Sequence, residues 1–458
     1  MAPQTHPGTP AAPAAHTRRR ILSTLAATTP TLAALACGQA ASTGDSKSAP
    51  SQKNVTIRVV ARTAQEADMW PIRIPAFMQA YPTIKVEPEL YPSDIVGKIN
   101  ALVAAGSMGD VGHTHFSAAQ PQRLAVQKAV KELDAYVAKD KLDLKQWYPA
   151  AIEAGRVDNK IIALPFKGKM GTIGFFYNQS LIEQAGLKIP DANTTINEIG
   201  EMSAKLTKPD GSQIGLAGNL PKAASTMIST IRRWNAELLS KDWMKATLDT
   251  QQARDAFSWY YDAFQKRRFM DPALPVQDTF NAGKAAFMIT VDVSQEKSKT
   301  LVAGQQQGFK WGAMLAPKGP TGRRGGYWVP DAIQMFATTT APDESWQLVK
   351  WLTNKDTGLA LAQQKSPGVS TTPGARPDVY NDPAFLNHEL FPRYLQELER
   401  DANLMNEPFQ VPGNFKIDEF NAALGAQVDK IWKNTADPNP SFMKTLNDEL
   451  QNILNLPR

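Results

Sequence analysis

The chain has 458 residues, of which 42% are hydrophobic and 21% charged. That balance suits two or three packed domains at roughly 150 residues each and excludes a disordered chain, a collagen and a polytopic membrane protein. A single cysteine, Cys37, excludes a disulfide framework, a thiolate zinc site and an iron–sulfur cluster. The formal charge is +6; Arg18, Arg19 and Arg20 account for three of these charges in a stretch, residues 1–37, that holds no Asp or Glu, leaving a mild +3. No basic stripe interleaved with aromatics follows, so nucleic acid is not an expected partner.

Residues 1–37 read as an export signal. A charged n-region, Thr17-Arg18-Arg19-Arg20, precedes an apolar run from Ile21 to Ala36 that contains Pro30. The run is too short and broken for a transmembrane helix of about 20 residues. Thr17-Arg18-Arg19-Arg20-Ile21-Leu22 resembles a twin-arginine address. Ala34-Leu35-Ala36-Cys37-Gly38 resembles a bacterial lipobox, which implies lipidation at Cys37 after cleavage; an ordinary leader cut nearby is the alternative. Residues 38–53, rich in Gly, Ala, Ser, Gln and Lys, read as a flexible tether.

The body then alternates strand and helix patterns. Val55, Ile57 and Val59 alternate in a strand that ends near Arg62; Trp70, Ile74, Phe77 and Met78 recur at helical spacing until Tyr81-Pro82. Ile84, Val86 and Leu90 give a second strand, and a helix over Ile95–Ala105 closes at Gly106. Asp110-Val111 reads as a short strand end, 131–139 as a helix, and Ile161–Pro165 and Gly174–Asn178 as apolar strands. Further strands are expected at Lys284–Val291, Trp311–Leu315 and Ala332–Phe336, and helices at Asp255–Arg267 and Asp343–Thr353. Phe257, Tyr260, Tyr261 and Phe264 form a core-facing stripe. This rhythm predicts an α/β fold with parallel sheets covered by helices.

Few residues suit catalysis. Outside the leader the histidines are His113, His115 and His388. His388-Glu389 lacks the spacing of a metalloprotease helix, and Gly168-Lys169-x-Gly171-x-x-Gly174 precedes a strand, unlike a dinucleotide or phosphate loop. His113 and His115 could ligate a metal from one strand face, but no third ligand is in view, so no metal or cofactor is expected. Paired carboxylates of a glycosidase cannot be identified among 44 acidic residues.

Several strings together carry a resemblance. Phe77-x-x-x-Tyr81-Pro82-x-Ile84-Lys85-Val86-Glu87, Lys98-Ile99, Ala105-Gly106-Ser107, Asp110-Val111 and Asn159-Lys160-Ile161-x-Ala163-Leu164-Pro165 come first. They are followed by Phe176-Tyr177-Asn178, Ala185-Gly186-Leu187, Asp210-Gly211, Phe280-x-x-Gly283-Lys284-Ala285-Ala286-Phe287-Met288, Gly319-Pro320-x-Gly322 and Asp343-Glu344-x-Trp346 with Lys350-Trp351-Leu352. In this order they resemble the bacterial extracellular solute-binding proteins of ABC importers, and within them the maltose-binding-protein-like subgroup, over roughly residues 53–455.

The resemblance implies a two-lobed type II binding-protein fold, each lobe a mostly parallel sheet flanked by helices, with residues 54–165 plus 332–369 in the N-terminal lobe and 166–331 plus 370–458 in the C-terminal lobe. Crossings are expected near 163–167, 326–332 and 367–373. It implies a non-catalytic monomer, held on the outer face of the cytoplasmic membrane, that delivers a mono- or oligosaccharide to a permease. A polyol, a phosphorylated glycerol, a peptide, or a secreted carbohydrate-active enzyme are the alternatives.

A sugar pocket wants aromatic platforms and polar side chains on loops at the carboxyl ends of strands. The candidates are Arg62 and Trp70 after the first strand, Asp110 and His115 at the next, Tyr177, Trp234, Asp292 where the family often has Gly and Trp, Trp328 at the second crossing, and Phe415. Trp70, Trp234 and Asp110 each have an alternative reading, as core rings or as a turn cap.

Overall fold

The computed structural model describes residues 54–458 apart from 64–65, 172–173, 219–220, 290–292, 367–371, 405–406 and 408, so Cys37 and Asp292 lie outside the described residues. The first strand, β1 (Val55–Arg62), buries Ile57, Val59, Val60 and Ala61. A helix over Trp70–Ala80 follows, with Pro71 where its missing N–H costs nothing. Trp70, Ile74 and Phe77, at i, i+4 and i+7, go to the core. The helix stops where Tyr81 returns its N–H to Phe77 O and Pro82 follows.

Next come β2 (Ile84–Tyr91), a helix over Ile95–Ala104, and β3 (Val111–His115). The helix expected over 131–139 is Asp134–Asp140. A short ribbon, β4 (Arg156–Val157) and β5 (Lys160–Ile161), precedes β6 (Leu164–Gly171), β7 (Gly174–Asn178), β8 (Ile214–Ala217), β9 (Ala285–Ile289), β10 (Trp311–Leu315) and β11 (Tyr327–Met335).

The main strands form two sheets, ordered β2-β1-β3-β11-β6 and β10-β7-β9-β8. The sheets are mixed, where the sequence reading expected them mostly parallel. β1 is parallel to β2 and β3, and β8 to β9, as strand–helix–strand units require. β11 runs antiparallel to both β3 and β6, and β7 antiparallel to β9 and β10.

Each sheet has its own core. Ile57, Val59, Val111, Leu164, Phe166, Ile333 and Trp346 pack around the five-stranded sheet. Phe175, Ile199, Phe257, Phe287, Ile431 and Leu450 pack against the four-stranded one. Ala375, Val379, Tyr380, Phe385 and Leu386 also pack into the first core. β6 likewise pairs along its whole length with β11 in the first sheet, beyond the expected crossing at 163–167. The predicted 255–267 helix is an α-helix over Gln251–Tyr261 continued by a π turn at Asp262–Lys266. Among the described residues no helix is long and apolar enough to cross a membrane.

Candidate functional site

β1 and β3 are parallel, so their carboxyl ends lie on the same edge of the sheet, the edge where open α/β sheets hold ligands. Arg62 ends β1 and His115 ends β3. On the neighbouring strand Asp331 stands directly opposite His115 on one side and opposite Lys167 of β6 on the other. An irregularity between Asp331 and Ala332 locally breaks the β11 ladder there.

These residues, with Glu66 from the segment after β1, form a buried ionic cluster. Arg62 Nη2 donates to Glu66 Oε1 at 2.8 Å and lies 3.4 Å from Asp331 Oδ2. Lys167 Nζ donates to Glu66 and sits 3.6 Å from Asp331 Oδ2. Glu66 and Lys167 have no exposed surface and Asp331 is 2% exposed. Burial pushes the Glu66 carboxyl up, but Lys167, His113 and Arg62 together outweigh it and hold the group well below the usual carboxylate range. A buried network of this kind contributes little net stability, because desolvation offsets attraction; what it fixes is the position of its members.

Around it stand aromatic rings. His113 and His115, two residues apart on one strand face, stack at 5.5 Å, and His113 meets Phe166 edge-on at 5.0 Å. Trp70 stacks on Phe166 at 5.7 Å and its Nε1 donates to Arg62 O at 2.7 Å. Trp70 is thus a buried support for the Arg62 backbone, its ring face occupied by Phe166.

The other candidates lie elsewhere. Asp110 precedes β3, at the end opposite His115, where its Oδ2 accepts the Arg58 N–H of β1 at 2.8 Å; the expectation that it shares a strand end with His115 is corrected, and its carboxylate ties the start of β3 to β1 rather than capping a turn. Tyr177 lies in the second sheet, half-buried, opposite Phe287 and Gly312, and a Cβ added at Gly312 would sit 2.3 Å from its ring. Trp234, 5% exposed, is wedged between Trp259 and Tyr260 at 5.9 and 6.2 Å in the second core. Trp328 is buried over Gly168 with Tyr148 edge-on at 5.5 Å. Phe415, at φ 62°, is buried with the Arg458 guanidinium 5.0 Å above its ring.

The sequence reading thus brought Arg62 and His115 to one place with Trp70 behind them, and missed Lys167 and Asp331. One sign was available for Asp331, a carboxylate set among Trp328, Val329, Pro330, Ala332 and Ile333; Lys167 shares its strand with Lys169 and stood out less. A cavity of about 760 Å³ lies between Gln277, Asn281, Val302, Gln364, Leu390 and Phe391, and none of the predicted site residues lines it.

The model of the bacterial extracellular solute-binding protein family matches residues 63–358. A mannitol-binding protein of Pseudomonas aeruginosa is 26% identical over 313 residues, 62% of this chain and 66% of that one. An ABC substrate-binding protein from Listeria monocytogenes in complex with cycloalternan superposes with a TM-score of 0.72 at 14% identity, covering 88% of this chain and 100% of that one. UgpB from Mycobacterium tuberculosis, in complex with glycerophosphocholine, superposes with a TM-score of 0.71 at 16% identity, covering 87% and 98%. With well over half of its residues inside the family model and a two-lobed fold shared along nearly the whole body, the chain belongs to the bacterial extracellular solute-binding proteins.

Proposed function

We propose that this protein is the solute-binding component of an ABC importer, and that it captures a hydroxyl-rich solute, a sugar or a hexitol, between its lobes and presents it to the permease. The observation that carries the choice of solute is the ionic cluster at the carboxyl ends of β1 and β3. Glu66 and Asp331 there already balance Arg62 and Lys167, which favours a neutral ligand offering many hydroxyls over a phosphate ester that would need converging uncompensated cations. The mannitol-binding relative supports a polyol beside the sugars.

The lobes divide, in this reading, after β6 and before β11. Residues 54–171, 327–366 and 375–386 belong to the first, and 174–326 with 393–458 to the second. The family is extracellular, so the body works outside the cytoplasm. The twin-arginine string and the lipobox at Cys37 support export in the folded state and a lipid tether on the outer face of the membrane.

The test is thermal unfolding of the body with hexoses, hexitols, oligosaccharides, glycerol phosphate and peptides, with product analysis of the same samples. A ligand at 100 times its dissociation constant adds about 2.7 kcal/mol. A shift with an intact hexitol or sugar is the expected result; a shift with glycerol phosphate alone, or a sugar cleaved during incubation, overturns it.

A further inference from the structure

The geometry points to a site for a divalent transition metal of the zinc class, built from His113, His115 and Asp331. The two histidines project from one face of β3 by strand alternation. Asp331 reaches the same face because β11 pairs antiparallel with β3 in a register that sets it directly opposite His115. One donor atom from each of the three lies within 4.8 Å of the other two. Asp331 Oδ2 is 3.4 Å from His113 Nε2, and its Oδ1 is 3.4 Å from His115 Nδ1. Around a tetrahedral zinc ion with bonds of about 2.0–2.1 Å, donors stand roughly 3.3 Å apart; each histidine already lies near that distance from one of the two Asp331 oxygens, and a modest side-chain rotation would bring one donor from each residue, now within 4.8 Å of one another, together on an ion.

A second, independent observation is the state of His113. Its ring has no exposed surface, and neither nitrogen has a hydrogen-bond partner among the described residues. A buried imidazole so placed is costly unless something else satisfies it, and a metal ion held beside a carboxylate is one group that can do so. The surroundings supply an outer shell. Arg62 and Lys167 approach Asp331 at 3.4 and 3.6 Å and orient it, as hydrogen-bonded partners of ligating carboxylates do. Entry is open from the strand end, where the His115 and Arg62 side chains keep 13% and 12% of their surface.

Three protein ligands leave a fourth position vacant, the pattern of an exchangeable rather than a closed zinc site. Glu66 and Asp331 already offset Arg62 and Lys167, so a bound dication would carry its charge uncompensated unless an anion, hydroxide or a carboxylate, took that fourth position. The inference does not depend on which solute the cleft carries, since it is tested without one.

The full chain is freed of metal with chelator, dialysed against zinc or cobalt chloride, and its metal content measured. Expected are one equivalent retained, visible absorption of tetrahedral cobalt, and a higher unfolding temperature with zinc than with chelator. His113→Gln and His115→Gln should each weaken retention at least about tenfold and abolish the cobalt band, while His388→Gln, in a different part of the fold, leaves both unchanged. If a ligand variant fails to fold, Asp331→Asn provides the same reading through the cobalt spectrum. No stoichiometric retention by the wild-type chain, or retention that all three ligand variants share, overturns the site.

Discussion

Replacing Lys167 by methionine tests whether the ionic cluster is a coupled unit. Lys167 is fully buried, donates to Glu66, and lies 3.6 Å from Asp331 Oδ2. Its removal leaves the two buried carboxylates to Arg62, which touches Glu66 at 2.8 Å and Asp331 at only 3.4 Å, with the His113 and His115 rings 3.4 Å from Asp331. Breaking one partner from a buried pair costs about 3–5 kcal/mol; because Arg62 still serves Glu66, the lower end, about 3 kcal/mol, is expected at pH 7. The assay is urea unfolding followed by tryptophan fluorescence. The double variant Lys167→Met/Glu66→Gln removes one charge of each sign and lets Arg62 turn to Asp331, so it should return to within about 1 kcal/mol of wild type. The pH dependence follows from Glu66, whose folded carboxyl is held below its ordinary 4.5. A depressed carboxyl contributes stability that is present above the unfolded value and lost as pH falls below it, so the gap between wild type and Lys167→Met should narrow below about pH 4.5. A single variant costing under about 1 kcal/mol, or a double variant costing the sum of both singles, refutes the coupling.

Three further outcomes follow from individual contacts. Trp70→Phe keeps the Phe166 stack but loses the 2.7 Å hydrogen bond to Arg62 O; it should cost about 1–2 kcal/mol in chemical unfolding and weaken solute binding in calorimetric titration by loosening Arg62. Gly312→Ala on the edge strand β10 puts a methyl 2.3 Å from the Tyr177 ring, which should destabilise by about 1–3 kcal/mol; an unchanged denaturation midpoint contradicts the packing described. Burial, helped by Lys297 and Lys365, pushes His388 down to about 4, so it is neutral in the folded chain while the unfolded chain takes up a proton near pH 6.5. Its contribution is present above about pH 6.5 and lost as pH falls towards 4, and His388→Gln should close its stability gap to wild type by about 2 kcal/mol between pH 7 and pH 4.5.

What could be read from the sequence divides along physical lines. β1, β2, the helices at 70–80 and 95–104 and the strand at 311–315 follow from local periodicity bounded by Pro, Gly or polar stops, and their boundaries agree within a residue or two. Strand direction was not legible, because β11 lies between β3 and β6 through a return from far along the chain. Nor was the fate of the aromatics. Trp70, Trp234, Trp328 and Phe415 have the same chemistry whether a ring face meets a sugar or a neighbouring ring, and here neighbours meet them: Phe166, Trp259, Gly168 and the Arg458 guanidinium. The charged residues were the better guide. A Lys or Asp within an apolar strand must be paired if it is to be buried, and pairing draws its partners to the same place.

That pairing bears on how a solute would be sensed. The cluster takes Arg62 and Glu66 from β1 and the segment after it, Lys167 from β6 and Asp331 from β11. β6 leads into β7 of the second sheet, and β11 is reached from β10 of the same sheet. Two of the four charges, Lys167 and Asp331, therefore sit on the strands that connect the two sheets, while Arg62 and Glu66 come from β1 and the segment after it. A solute hydroxyl that took a hydrogen bond from Arg62 or gave one to Asp331 would alter the balance on the crossing strands themselves, without a relay through intervening core. Ligand binding selects among lobe arrangements only through a difference in affinity between them. Groups fixed on β6 and β11 are where a small rearrangement of contacts changes that difference most directly.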